Sequence, residues 1–186
     1  MLETHEVIFR GEGLRVVLKL AELTEAATQD GVLVLRTRDS ERLELELGDA
    51  ATKWLKKIKN PPSRLDKLGV KTGMKVAVIG VRDPALDTEL RERGVTRARS
   101  FKGADVVLYG VEDPAALDKL ATLRDAIKPD GAIWVVRRKG GGAVSEKASM
   151  AAGKAAGLVD VKVCAFSETH TAEKYVIPRA SRGVSA

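Results

Sequence analysis

One cysteine, Cys164, and two histidines, His5 and His170, are the whole supply of thiol and imidazole in this chain. A single cysteine excludes an internal disulfide and any cysteine-based zinc cluster, and the two histidines lie far apart in sequence, so no metal is expected. Aromatic residues make up only 4%, which leaves little for base stacking. No stretch approaches the roughly 20 apolar residues that a membrane helix needs, so no membrane contact is expected. The opening M-L-E-T-H-E carries acid where a secretory signal carries Lys or Arg, and no apolar segment follows; the expected location is the cytoplasm. A Ser-His-Asp pattern, a P-loop and a paired-carboxylate signature are also missing, so no catalytic residue is named.

What is present is a core and an uneven charge. At 186 residues with 44% apolar side chains, the chain can bury roughly 70% of its unfolded surface. Residues 1–50 hold 6 Lys/Arg and 11 Asp/Glu, a net of −5, and the remainder holds 26 and 15, a net of +11. The excess is sharpest between Lys53 and Lys75, where Lys53, Lys56, Lys57, Lys59, Arg64, Lys67, Lys71 and Lys75 face only Asp66. Such a run is either a solvated helix face or a surface for an anionic partner.

The first part of the chain reads as β-rich. Glu6 to Arg10 and Leu14 to Leu20 flank Gly11-Glu12-Gly13 as a hairpin. Ala21 to Gln29 reads as a short helix or loop. Gly31 to Thr37 and Arg42 to Leu47 form a second hairpin around Arg38-Asp39-Ser40-Glu41, and Leu43, Leu45 and Leu47 alternate with polar residues to give one buried face. Asp49 is placed to cap a helix from Ala50 to Lys59 whose Ala51, Trp54, Leu55 and Ile58 share one side. Asn60-Pro61-Pro62 ends it. The expected division is therefore a β-rich unit over 1–60, an α/β domain over 63–180 and a frayed tail over 181–186.

The α/β domain is organised around Lys75 to Gly94. Val76 to Ile79 is continuously apolar, as in a strand covered on both faces. Gly80 permits a sharp turn, Asp83 suits an N-cap, and Pro84 suits the first helical position. Ala104 to Tyr109 is a second such strand, and its G-V-E-D-P-A-A-L echoes G-V-R-D-P-A-L. Between them, Val95 to Gly103 reads as an extended connector or edge piece, because a parallel crossover needs a dozen or more residues. A helix over Pro114 to Ile127, a strand over Ala132 to Val136, a basic loop Arg137-Arg138-Lys139-Gly140-Gly141-Gly142 and a thin, alanine-rich helix over Ser145 to Gly157 follow. Val159 to Phe166 and Lys174 to Pro178 close the domain as a hairpin.

Several segments in order resemble the Rossmann-like domain of class I S-adenosylmethionine-dependent methyltransferases. L-G-V-K-T-G-M-K-V-A-V-I-G is similar to the approach to that family's first strand, G-A-D-V-V-L-Y-G to its fourth and I-K-P-D-G-A-I-W-V-V to its fifth. K-L-G-V-K-x-G and G-L-V-D-V-K-V-C also resemble an uncharacterised bacterial family of unknown function. The resemblance implies a mostly parallel, methyltransferase-like sheet with a C-terminal antiparallel hairpin. It departs from the family at the cofactor loop. The acid at the end of the first strand is Val78, and of the G-x-G-x-G glycines only Gly80 remains, with Arg82 and Pro84 in the other two places. No acid lies in Val95 to Phe101, where the family binds ribose hydroxyls. No cofactor is therefore expected, S-adenosylmethionine included, and methyltransferase activity is not the expected function.

Ligands of open parallel sheets bind beyond the carboxyl ends of the strands. Gly80, Arg82, Asp83, Gly110, Arg137 and Arg138 converge there as candidate binding residues for a small anionic or nucleotide-like ligand, helped by N–H groups at two helix N-termini. The alternative is that Asp83 and Asp113 already cap those helices and that the basic loop is a solvated turn. The alternative function is a basic module for nucleic acid or an acidic protein, using Lys53 to Lys75 with Arg97, Arg99 and Lys102. His170 reads as a surface residue of a polar turn, and Cys164 as a small packed side chain.

Overall fold

The computed structural model describes Leu2, residues 6–11 and residues 13–182. His5 and the end of the predicted tail, 183–186, lie outside the described residues. The chain divides into two units, Met1–Ser63 and Arg64–Ala186.

In the first unit, β1 (Glu6–Gly11) and β2 (Leu14–Lys19) form an antiparallel hairpin. β3 (Leu23–Gln29), β4 (Val32–Thr37) and β5 (Arg42–Glu46) form a three-stranded antiparallel sheet. The segment 21–29, expected to be a helix or loop, is instead a 3-10 turn over Leu20–Glu22 followed by β3. Its signal was the Asp30-Gly31 pair that joins β3 to β4. Both residues have positive φ, 49° and 79°, as a two-residue hairpin turn of matching twist requires.

Helix α1 (Ala50–Lys59) has the predicted bounds. Asp49, however, is itself helical and makes no side-chain cap; the first helical N–H bonds run to backbone carbonyls, Ala50 to Leu47 and Ala51 to Gly48. Ala51 is buried, and Trp54, Leu55 and Ile58 pack with it against Val7, Leu18, Leu33, Leu35 and Leu45. Trp54 thus belongs to the core of its own unit.

The second unit carries one six-stranded sheet in the order β10-β11-β9-β8-β6-β7. Strands β6 (Lys75–Ile79), β7 (Thr96–Ala98), β8 (Val106–Gly110) and β9 (Ala132–Arg138) are parallel. The closing hairpin, β10 (Val159–Ala165) and β11 (His170–Val176), runs antiparallel and inserts β11 beside β9. Helices α2 (Arg64–Leu68), α3 (Pro84–Glu92), α4 (Leu120–Ala126) and α5 (Glu146–Ala155) complete it, with a 3-10 stretch over Pro114–Lys119. The helix expected over Pro114 to Ile127 is therefore divided into a 3-10 and an α part.

Alternate strand residues enter two different cores, which explains the continuous apolar runs. Val107, Tyr109, Ile133 and Val135 pack with Leu117, Leu120 and Leu123 on one face. Val76, Val106, Leu108 and Trp134 pack with Leu65, Leu68, Leu86 and Leu90 on the other. Trp134 Nε1 donates to Leu68 O at 3.0 Å, so its polar edge is satisfied by the end of α2, an element the sequence reading passed over. In α5, a Cβ added to Gly153 would lie 2.4 Å from the Tyr175 ring; the thin helix does approach the sheet closely.

Val95 to Gly103 contains a true parallel edge strand. β7 pairs with β6 at Thr96, Arg97 and Ala98 only. Three residues advance about 10 Å, so residues 99–105 need only retrace a short path to reach β8, and the length that a full crossover demands is not required. Arg179–Ser181 form a 3-10 turn, and Arg182 Nε donates to Ile177 O at 2.9 Å, so the predicted tail starts with ordered backbone.

Candidate functional site

The carboxyl ends of β6 and β8 touch through glycine. A Cβ on Gly110 would lie 2.4 Å from Gly80 O, and one on Gly80 would lie 2.8 Å from Gly110 O. Gly80 also has φ +68°, the left-handed region that favours glycine. Both glycines therefore serve the contact between two strand ends. A cavity of about 210 Å³ opens there, lined by Gly80, Arg82, Gly110, Glu112, Phe166 and His170 among others. A second, of about 740 Å³, adjoins it over Arg138 and Gly140 to Gly142 and shares Val111, Glu112, Thr169 and His170 with the first.

Asp83 is already engaged. Its Oδ1 accepts from Leu86 N at 3.0 Å as the cap of α3, and its Oδ2 is paired with the Arg64 guanidinium. Arg64 also reaches Glu89 at 2.8 and 3.0 Å and lies over the Phe166 ring, 4.8 Å from its centre. Burial raises the Asp83 pKa, but the bonds from Arg64 and Leu86 outweigh it, and the carboxyl is held below its ordinary value. Arg64 thus braces the β6–α3 loop against the end of β10. In the sequence it belongs to the basic run, and its role depends on acids that the fold brings to it.

Arg137 is not in a loop. It is the sixth residue of β9, buried to 9% exposure, and its Nε donates to Glu173 Oε1 at 2.6 Å. Tyr175 Oη donates to Glu173 Oε2 at 3.2 Å, and Ser149 Oγ lies 2.8 Å from Tyr175 Oη. Glu173, Tyr175 and Ser149 are 2%, 1% and 0% exposed. Arg137 is thereby committed to an internal network between β9, β11 and α5, and it does not serve as the open anion ligand expected of it. Arg138, the next residue, ends β9 with its side chain exposed.

Burial, with help from the Glu173 charge and against the Ser149 bond, pushes the Tyr175 phenol up to about 12. Its folded value exceeds the ordinary 10.0, so this contribution is full below pH 10 and is lost as pH rises through 12. The loss amounts to about 3 kcal/mol. Denaturant unfolding across that range is expected to show a steeper decline for the native chain than for Tyr175→Phe, in which the buried Tyr109 and the half-buried Cys164 still titrate; equal declines in both would refute the assignment.

The helix N-termini at this end are capped from within. Asp113 accepts from Ala115 N at 2.8 Å, and Ser145 Oγ from Ala148 N at 3.1 Å. The N–H groups expected to help hold an anion are thus answered at α3 and at the Pro114 3-10 stretch alike. Arg82 and Arg138 are exposed, and neither has an ion-pair partner among the described residues. Of the six predicted binding residues, Gly80, Arg82, Asp83 and Gly110 line the first cavity and Arg138 the second.

Sequence reasoning missed Glu112 and undervalued His170. The signal for Glu112 was the G-V-R-D-P and G-V-E-D-P echo, which sets it at the place of Arg82 in the second repeat; both line the first cavity. His170 opens β11 opposite Arg138, with Nδ1 2.9 Å from Thr169 Oγ1, and it lines both cavities. Cys164 is half-buried, and burial pushes its thiol up despite Lys162 and Lys67 nearby, so it lacks thiolate character. Among the described residues, no three His, Cys, Asp or Glu are grouped to hold a metal, and no helix is long and apolar enough to cross a membrane.

The basic run is distributed over both units. Lys53, Lys56, Lys57 and Lys59 belong to α1, whereas Arg64 is engaged as above. Arg97 pairs with Asp87 at 2.5 Å, and Lys75 Nζ donates to Lys102 O at 2.6 Å.

No family model matches the chain, and no curated protein matches it in sequence. Solved structures that it resembles include S-adenosylmethionine-dependent methyltransferases. Human N-acetylserotonin methyltransferase, solved with its cofactor, is 14% identical with a TM-score of 0.49 over 68% of this chain and 54% of its own. A methyltransferase from Aquifex aeolicus is 14% identical with a TM-score of 0.45 over 66% and 93%. A TehB-like enzyme from Corynebacterium glutamicum is 12% identical with a TM-score of 0.43 over 70% and 97%. The likeness concerns the fold. The second unit has an α/β architecture, a mostly parallel sheet closed by an antiparallel hairpin.

Proposed function

We propose that the second unit binds a small anionic, nucleotide-like ligand in the paired cavities beyond β6, β8 and β9, and that it does not turn over S-adenosylmethionine. The observation that carries this reading is the exposure of Arg82 and Arg138, each without an acid partner among the described residues, on cavities that share four residues. The position is where open parallel sheets take their ligands. Unpaired guanidinium groups suit phosphate or carboxylate oxygens. Glu112 and Thr169 supply acceptors for hydroxyl groups, and Phe166 contributes an apolar wall.

The same loop argues against the family's cofactor. Gly80 is engaged by Gly110, Asp83 by Arg64 and its own helix, and Arg82 and Pro84 stand where further glycines would let the cofactor approach. No reaction is assigned: the hydroxyl–imidazole contact on the cavity wall, Thr169 Oγ1 with His170 Nδ1 at 2.9 Å, has no acid orienting the ring among the described residues.

Thermal shift and calorimetry with AMP, ADP, ATP, inorganic phosphate and S-adenosylmethionine test this. A nucleotide at 100 times its dissociation constant should stabilise the chain by about 2.7 kcal/mol. Each of Arg82→Gln and Arg138→Gln should weaken binding by about tenfold or more, a charged hydrogen bond being worth about 1.5–3 kcal/mol. No shift with any ligand at millimolar concentration, or shifts untouched by both substitutions, would sink the proposal.

A further inference from the structure

Helix α1 is amphipathic in an unusual way. Its apolar residues Ala51, Trp54, Leu55 and Ile58 all face the core of the first unit. Its remaining face carries Lys53, Lys56, Lys57 and Lys59, all exposed, and the ten-residue helix contains no acid. None of the four lysines has an acid partner among the described residues, whereas Lys19, Arg36 and Arg42 of the same unit pair with Glu22, Glu25 and Glu44. Like charges three and four residues apart, as in Lys53 with Lys56 and Lys57, weaken a helix. The helix dipole favours lysines in the last turn, which suits Lys56, Lys57 and Lys59 but not Lys53. The mutual repulsion of the cluster thus opposes the helix and is offset by the dipole only at Lys56, Lys57 and Lys59, in a unit that is otherwise rich in acid.

We propose that this lysine face is a sequence-independent contact for the phosphate backbone of double-stranded nucleic acid. The face offers charge alone, since the apolar side chains are turned into the core. Protein interfaces have an apolar centre and are depleted in lysine, so an acidic protein is the poorer fit. The one aromatic residue of the helix, Trp54, packs against the core of the unit, so a single strand is also poorly served. Lys53 to Lys59 spans about 9 Å of helix axis, comparable with two to three phosphate steps of one strand at about 3.4 Å each. The proposal rests on the first unit and is independent of the ligand cavities of the second.

The full chain is titrated onto a labelled DNA duplex of about 20 base pairs between about 50 and 200 mM salt, with anisotropy as the readout. If each lysine neutralises one phosphate, the log–log salt slope is about −3.6. Replacing Lys53, Lys56, Lys57 and Lys59 by Gln, a residue of similar helix propensity, should weaken binding at least about tenfold and remove about 3.6 from the slope. Replacing the same four by Arg should preserve both, which distinguishes lost charge from lost fold. A control replaces the exposed Arg91, Lys147, Lys154 and Arg179 by Gln and lowers net charge equally, from +6 to +2; it should retain binding. Failure to bind at the lowest salt, equal loss in the control, or equally tight binding of polyglutamate would overturn the proposal.

Discussion

Arg137→Ala is expected to lower the unfolding free energy by about 3–5 kcal/mol, the cost of leaving one partner of a buried ion pair alone. Glu173 is 2% exposed, accepts from Arg137 Nε at 2.6 Å and lies 2.5 Å from Arg137 Nη2. With Arg137 gone, its carboxylate retains, among the described residues, the 3.2 Å bond from Tyr175 Oη. It would have to take up a proton or admit water, and either costs stability. Arg137→Leu combined with Glu173→Leu should recover most of the loss, because two apolar side chains need no mutual neutralisation. Urea unfolding of the single and double variants decides it. A single variant within about 1 kcal/mol of the native chain, well under the range for a broken buried pair, would contradict the network.

Gly110→Ala is expected to be at least as damaging, by about 3 kcal/mol or more, as forced overpacking of an unyielding contact. The new methyl would meet Gly80 O at 2.4 Å, Gly80 C at 2.6 Å and Val81 N at 2.9 Å. These are backbone atoms of the loop that leaves β6, and they cannot turn aside as a side chain would. The ends of β6 and β8 must separate, which deforms the floor of the first cavity. Gly140→Ala is the matched control. It has φ +52° but nothing within 4 Å of the added methyl, so it should cost only the backbone strain of about 1 kcal/mol. Equal melting temperatures for the two variants would remove the strand-end contact as a constraint on the fold.

Much of the second unit was legible because its signals are local. Val76 to Ile79 and Ala132 to Val136 read as strands since both faces are covered, and Asp83 with Pro84 marked the start of α3 as observed. Helix α1 was equally plain from four apolar residues at helical spacing. β3 was hidden because T-E-A-A-T-Q neither alternates cleanly nor carries bulky β-branched side chains, although Asp30-Gly31 announced the turn beyond it. β7 was obscured by its length; three residues leave almost no period to read. Arg137 and Arg138 looked like loop because charged residues seldom continue a buried strand. Here the strand continues because β11 supplies Glu173 beside it.

By itself, then, the sequence determined most of the alternation of strands and helices in the second unit, two hairpins of the first, and the absence of a G-x-G-x-G pattern after β6, where Arg82 and Pro84 follow Gly80. Periodicity, turn residues and missing glycines act within a few positions, so they survive reading one residue at a time. Only the tertiary structure decided which charges are available to a ligand. Asp83 is taken by Arg64, 19 residues away, and Arg137 by Glu173, 36 residues away, while Arg82 and Arg138 have no acid partner among the described residues. Whether a charge is neutralised depends on what lies within a few ångströms in space, and the sheet order brings together residues that the chain keeps apart.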